Sequence, residues 1–159
     1  MVDGELKFDK PCGELNPVLW LTLQRHGRRS RGPAIADLGI GVRPEALRRY
    51  NLDNLRSYWQ PLVADVPTDP SDDTPVPADP LVWLTLGPAR LHYTLAHGDV
   101  ISKAAAGTYL AALFPQYADL AHRAIAHRAE APQQFTFADL RAAAASVHAV
   151  ADDAWNRFG

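Results

Sequence analysis

Along most of the chain apolar positions recur at intervals of three and four, the spacing that gives an α-helix one buried face. Asn16-Pro17 opens the first such run, an N-cap followed by proline at the first helical position. The run passes through Trp20, Leu21 and Leu23 and should stop near Gly27. A second helix begins at Pro44, with Leu47, Tyr50, Leu55, Tyr58, Trp59 and Leu62 expected on one apolar face. A third starts from Asp79-Pro80 as cap and first-turn proline, and runs to Gly98 with a kink expected at Pro88. Ser102 caps a short alanine-rich helix that ends before Pro115, and another spans about Gln116 to Ala129. Thr136 caps the last, where Phe137, Leu140, Ala144, Val147, Ala151, Ala154 and Trp155 form a continuous apolar face.

Strict alternation occurs once, where Leu6 and Phe8 stand between Glu5, Lys7 and Asp9, before Pro11 and Gly13. This predicts one strand and a turn. A lone strand cannot complete its ladder hydrogen bonds, and no partner strand is evident. The expected fold is therefore mainly α, a small helical bundle of about six helices with a short N-terminal strand. Between Ala64 and Ala78 the composition changes to Asp, Pro, Thr and Ser, which reads as a linker or long loop and the clearest boundary. The chain then divides into residues 1–40 (strand, helix and turn), a connecting helix 44–63, an acidic Pro-rich loop 64–79 and a helical bundle 80–159.

Composition narrows the function classes. A chain of 159 residues with formal charge −2 has no global attraction to nucleic acid or to an anionic membrane. A single cysteine, Cys12, excludes an internal disulfide and a multi-cysteine metal site. The N-terminus lacks the basic flank and apolar run of a signal peptide, and no run is long and apolar enough to span a bilayer. A cytoplasmic protein is the expectation. Arg25, His26, Arg28, Arg29 and Arg31 form a basic knot, which reads as favourable charge at a helix C-terminus or as an anion contact.

Several chemistries have no residues to carry them. There is no Gly-x-Gly-x-x-Gly, no phosphate loop and no nucleophile elbow. Asp72-Asp73 and Asp152-Asp153 are adjacent pairs whose side chains diverge, unlike two acids one residue apart on a strand. His122 and His127 lie five apart, about 140° around a helix, so no shared metal is expected.

The most informative stretch is LVWLTLGPARLHYTLAHGDVISKAAAGTYLAALFPQYADLAHRAIAHR, Leu81 to Arg128. Arg90, Leu91, Tyr93, Thr94, Gly98, Ser102 and Lys103, in that order, resemble the C-terminal helical domain of the aminoglycoside adenylyltransferases acting on streptomycin and spectinomycin. Tyr109, Pro115 and Tyr117 fill the aromatic, proline and tyrosine places that follow. Upstream, NPVLWLTLQRHGRRSRGP, Asn16 to Pro33, resembles the helix and Gly-Pro turn that close the nucleotidyltransferase domain of the same family. On this resemblance, residues 1–40 correspond to the tail of that domain and 44–62 to the helix leading out of it.

The resemblance implies transfer of AMP from ATP, with Mg2+, to a hydroxyl of an aminoglycoside-like small molecule. The family's catalytic acids, a Gly-Ser motif with Asp-x-Asp and a further Glu, are not in this sequence, so no catalytic or metal-binding residue is assigned here. Lys103 takes the place of the lysine that reaches the ATP phosphates, with Ser102 and Arg90 as further nucleotide contacts. An exposed first-turn lysine is the plain alternative for Lys103, and internal pairing is the alternative for Arg90. Tyr93 and Tyr109 are packing residues with a hydroxyl at the rim, and candidates for substrate contact. Asp65, Asp69, Asp72, Asp73 and Asp79 lie where the family's drug-contacting loop falls; Asp72 and Asp73 are the named candidates, and a solvated linker explains them equally well.

Two forms of this reading stay open. The chain is either part of a complete adenylyltransferase or a free-standing helical partner of a separate nucleotidyltransferase core, and alone it is not expected to modify a drug. Self-association through Leu15, Val18, Trp20 and Leu21 is expected if no partner covers them. A different class, a helical-bundle ribonuclease, rests on Arg141 and His148, seven apart and so on one helix face. A non-catalytic interaction protein is the remaining alternative.

Overall fold

Helix-starting signals and helices coincide along most of the chain. The structure, a computed structural model, describes residues 15–69 and 71–159. The expected strand at Leu6–Phe8 and Cys12 lie outside the described residues. The chain forms two compact units, Met1–Leu47 and Arg48–Gly159. Six helices, two 3₁₀ turns and a two-stranded ribbon make the described residues mainly α. Among them, no helix is long and apolar enough to cross a membrane.

In the first unit, α1 (Pro17–His26) starts on Asn16, whose Oδ1 accepts from the Leu19 N–H at 3.0 Å. Pro17 stands at the first helical position, where a missing N–H removes no helical bond. Only Leu21 of this helix is buried, and Leu15 just before it is 54% exposed. Arg25 and His26 lie in the last turn, where cations complement the free carbonyls. Arg28, Arg29 and Arg31 are exposed beyond it. A 3₁₀ turn, Ile35–Leu38, closes at Gly39, whose φ of 62° lies in the left-handed region that glycine enters without strain.

Helix α2 runs through Pro44–Asn54, then one π-helical turn, Leu55–Trp59, then Gln60–Leu62. Leu52, Leu55, Trp59 and Val63 are inside, while Tyr58 and Leu62, expected on the apolar face, are about half exposed. Leu47, Leu55 and Trp59 of the expected face are buried, and the stripe continues at Val63 instead of Leu62.

Helix α3 (Ala78–His97) is the centre of the second unit and packs against α4 (Lys103–Leu113), α5 (Ala118–Arg128) and α6 (Phe137–Phe158). It starts one residue before Asp79, with Pro77 at the cap position, so Asp79 and Pro80 sit in the first turn instead of opening it. Pro88 is buried inside the helix. Thr85 and Thr94 turn their hydroxyls onto the carbonyls four residues back, at 2.9 and 3.0 Å, which lets both be buried. Leu55, Leu81, Leu86, Leu110, Phe135, Val147 and Val150 form the inner core. The alanines of α4, α5 and α6 let the helices approach closely. Gly107 goes further: a Cβ there would lie 2.6 Å from Ile125 Cγ1 and 2.9 Å from Leu86 Cδ2.

The acidic Pro-rich loop is not a linker between units. It lies within the second unit and is fastened to the start of α6. Pro75–Val76 (β1) pairs antiparallel with Phe135–Thr136 (β2), Pro75 opposite Thr136 and Val76 opposite Phe135. The Thr74 and Asp72 carbonyls accept from the N–H groups of Phe137 and Ala138 at 2.8 and 3.1 Å. First-turn amides have no partner within their own helix, so the loop supplies one for each. Asp139 completes the cap, accepting from the Thr136 N–H at 2.9 Å.

Candidate functional site

Gly98, with φ 65°, ends α3 in a left-handed turn and sends the chain back toward α4. The return brings Ile101 against Arg90, whose Nε donates to the Ile101 carbonyl at 2.9 Å. The next two residues are Ser102, whose hydroxyl accepts from the Ala105 N–H at 3.1 Å, and Lys103, the first residue of α4. Arg90, Ser102 and Lys103 thus meet at one helix N-terminus. Among the described residues, no carboxylate lies within ion-pair distance of Arg90 or Lys103. Two cations beside the positive end of a helix dipole make a place for an anion.

A second polar array is centred on His92. His92, fully buried on α3, joins Tyr109 of α4 to Asp153 of α6. Its Nδ1 is 2.8 Å from the Tyr109 hydroxyl and its Nε2 is 2.7 Å from Asp153 Oδ2. Arg157, one turn beyond Asp153, reaches the same carboxylate oxygen at 3.4 Å. Burial lowers the His92 pKa against the opposing hydrogen bond and charge of Asp153, so the ring is neutral near pH 7. Burial likewise raises the Tyr109 pKa, keeping the phenol protonated. The Tyr109 ring stands edge-on to Tyr93 at 5.3 Å and to His97 at 5.9 Å, and Tyr93 and His97 overlap at 4.2 Å.

The structure gathers five of the seven residues singled out from the sequence into two sets: Arg90, Ser102 and Lys103, and Tyr93 with Tyr109. Asp72 and Asp73 are elsewhere. Asp72 pairs with Arg141, which also donates to the Thr68 carbonyl at 3.0 Å and lies over the Phe137 ring. Asp73 borders an open groove of about 410 Å³ with Val76, Gln133, Gln134 and Phe135. Arg141 therefore fastens the loop, and His148, two turns on, is half-buried. The described residues contain no group of three or more His, Cys, Asp or Glu that could hold a metal ion.

His92 and Arg157 were not singled out in the sequence, and Asp153 was noted there only as the neighbour of Asp152. A histidine at a core position of α3 was visible, since Thr85, Ala89 and His92 fall on one face, but its partner Asp153 is 61 residues away. No family model, no curated protein and no solved structure matches this chain.

Proposed function

We propose that residues 48–159 form the nucleotide-embracing helical half of an adenylyltransferase of the aminoglycoside-modifying kind. The observation that carries the reading is the bond from Arg90 Nε to the Ile101 carbonyl, which sets an arginine with no carboxylate partner among the described residues beside the Ser102-capped start of α4 and Lys103. The ordered run Arg90, Tyr93, Gly98, Ser102, Lys103 is the part of the sequence that resembles that family. In this reading Lys103 and Arg90 hold the phosphates of ATP, and the helix N-terminus adds its free amides.

Chemistry needs acids that this sequence does not contain. Without Asp-x-Asp there is no pair to place the two metal ions of an in-line transfer, so AMP transfer requires a nucleotidyltransferase core supplied to this chain. The role left to these helices is to bind ATP and present the α-phosphate to that core.

Calorimetric titration with ATP and with inorganic triphosphate tests the reading. Lys103→Ala should weaken both by about tenfold or more, Lys103→Arg should retain most of the affinity, and Asp73→Asn should change neither. Unchanged affinity in both Lys103→Ala and Arg90→Ala would remove the phosphate site and the proposal with it.

A further inference from the structure

Three helices bring a hydroxyl, an imidazole and a carboxylate into one line. Asp153, which also accepts from Arg157 at 3.4 Å, is the acceptor at its end, so His92 carries its proton on Nε2. Nδ1 is then a bare lone pair, and the Tyr109 hydroxyl donates to it at 2.8 Å. A hydroxyl bonded to a base, with the base oriented by a third group, is the arrangement that activates an oxygen for covalent chemistry. The phenol is protonated at rest, so its proton must leave during attack, and the neutral ring of His92 is placed to take it.

The surroundings narrow what Tyr109 could attack. His92 is fully buried, whereas Tyr109 is only half-buried and His97 beside it is exposed. Tyr93 and His97 stand edge-on to the Tyr109 ring at 5.3 and 5.9 Å, a wall that suits a flat aromatic group. Arg157, about half exposed, lies close enough for its charge to favour the phenolate, and the same charge favours an oxyanion formed on attack. Tyrosine's own acidity sets the last limit. A phenol ionises near pH ~10, far more readily than an alcohol or an amine, so tyrosinate does not displace the alkoxide of an alkyl ester or the amide nitrogen of a peptide. The group displaced must ionise as easily as tyrosine or more easily, as the aryloxide of an aryl ester does.

We propose that Tyr109 is a nucleophile that takes the acyl group of aryl esters, with His92 as its general base and Asp153 as the positioning residue behind the base. The Tyr109 oxygen bonds to the ester carbonyl carbon while its proton passes to His92 Nδ1, and Asp153 stabilises the imidazolium. The bond from that carbon to the aryl oxygen then breaks. The aryloxide leaves with the electron pair, and the proton on His92 passes to it or to water. The O-acyl-Tyr109 that remains is itself an aryl ester. Water attacks it by the same route, giving its proton to His92, and the carboxylic acid departs as the proton returns to the Tyr109 oxygen. No part of this step uses ATP, Arg90 or Lys103, so it stands or falls apart from the phosphate site.

The test is a time course of the full chain with 4-nitrophenyl acetate, with acetylation of each tyrosine followed by mass spectrometry. Tyr58, 47% exposed, is the reference inside the same molecule. Tyr109 should acquire acetyl at least about tenfold faster than Tyr58 although it is more buried, and His92→Gln should remove that advantage while leaving Tyr58 as it was. Tyr109 labelled no faster than Tyr58 in the unmodified chain overturns the proposal, and this comparison needs no variant to fold. An advantage that survives His92→Gln overturns it as well. The role of Asp153 is read by ¹⁵N shifts of His92, which should report the Nε2–H tautomer in the unmodified chain. In Asp153→Asn they should report Nδ1–H, which has no lone pair facing Tyr109, and the advantage should fall with it. A ring already Nδ1–H in the unmodified chain has no base facing Tyr109 and overturns the relay.

Discussion

His92 is the residue on which three helices depend, because its two ring nitrogens reach α4 and α6 from the middle of α3. Replacing it by alanine leaves a cavity, a half-buried phenol and a partly buried carboxylate without their partner, and should cost about 3 kcal/mol in chemical denaturation. Its titration adds a pH dependence with a definite sign. Burial holds the folded pKa below the unfolded one, with Asp153 opposing and the Arg157 and His97 charges assisting. The unfolded chain therefore takes up the proton first. The contribution of His92 is complete above the unfolded pKa and is lost as pH falls below about 6.5. Melting temperatures measured from pH 7.5 down to 5 should fall in the unmodified chain, and fall less in His92→Gln. An equal fall in both would assign the loss to other groups. Nothing in the neighbourhood of His92 in the sequence foretells this role, since Tyr109 and Asp153 are 17 and 61 residues away.

Among the elements, the start of α6 is held by several interactions at once. Asp139 accepts from the Thr136 N–H at 2.9 Å and from Arg123, which also bonds Asp119 at 2.9 Å and lies over the Phe135 ring at 5.2 Å. Burial pushes the Asp139 pKa up, but the Arg123 hydrogen bond, the Thr136 bonds and the Arg123 charge together take it below its ordinary value. A carboxylate with a depressed folded pKa stabilises the fold above its unfolded pKa, and that contribution fades as pH drops below about 4. Asp139→Ala removes the cap and leaves Arg123 short of one acid. A loss of about 2 kcal/mol in urea unfolding is expected, and it should shrink in acid. A loss that stays constant from pH 7 to pH 3 would rule out the carboxylate as its source. The Thr136 cap was legible in the sequence because a cap and its acid are neighbours, three residues apart. The face of α2 was legible in part, since Leu47, Leu55 and Trp59 are buried as expected while Tyr58 and Leu62 are about half exposed.

For the whole second unit, the loop of residues 64–79 decides how far the helices behave as one body. Its composition reads as a tether, yet its carbonyls satisfy the amides of α6 and its Asp72 holds Arg141. Asp72 is 70% exposed, so the pair itself contributes little to stability. Arg141→Ala should lower the melting temperature only slightly while exposing the segment around Thr68–Asp73 to limited proteolysis, which the unmodified chain resists. Rapid cleavage there in both proteins would show the loop to be loose. The helices, their caps at Asn16, Ser102 and Thr136, and the glycine stops at Gly27 and Gly98 were determined by the sequence alone. Those signals act between residues three or four apart, where helix geometry dictates who meets whom. The Ser102-Lys103 helix start was legible for the same reason. Only the tertiary structure decided that Arg90 joins that start, that His92 meets Asp153, and that an acidic loop docks on α6. Those partners lie 11, 61 and about 70 residues apart in sequence, and packing alone brings them within hydrogen-bond distance.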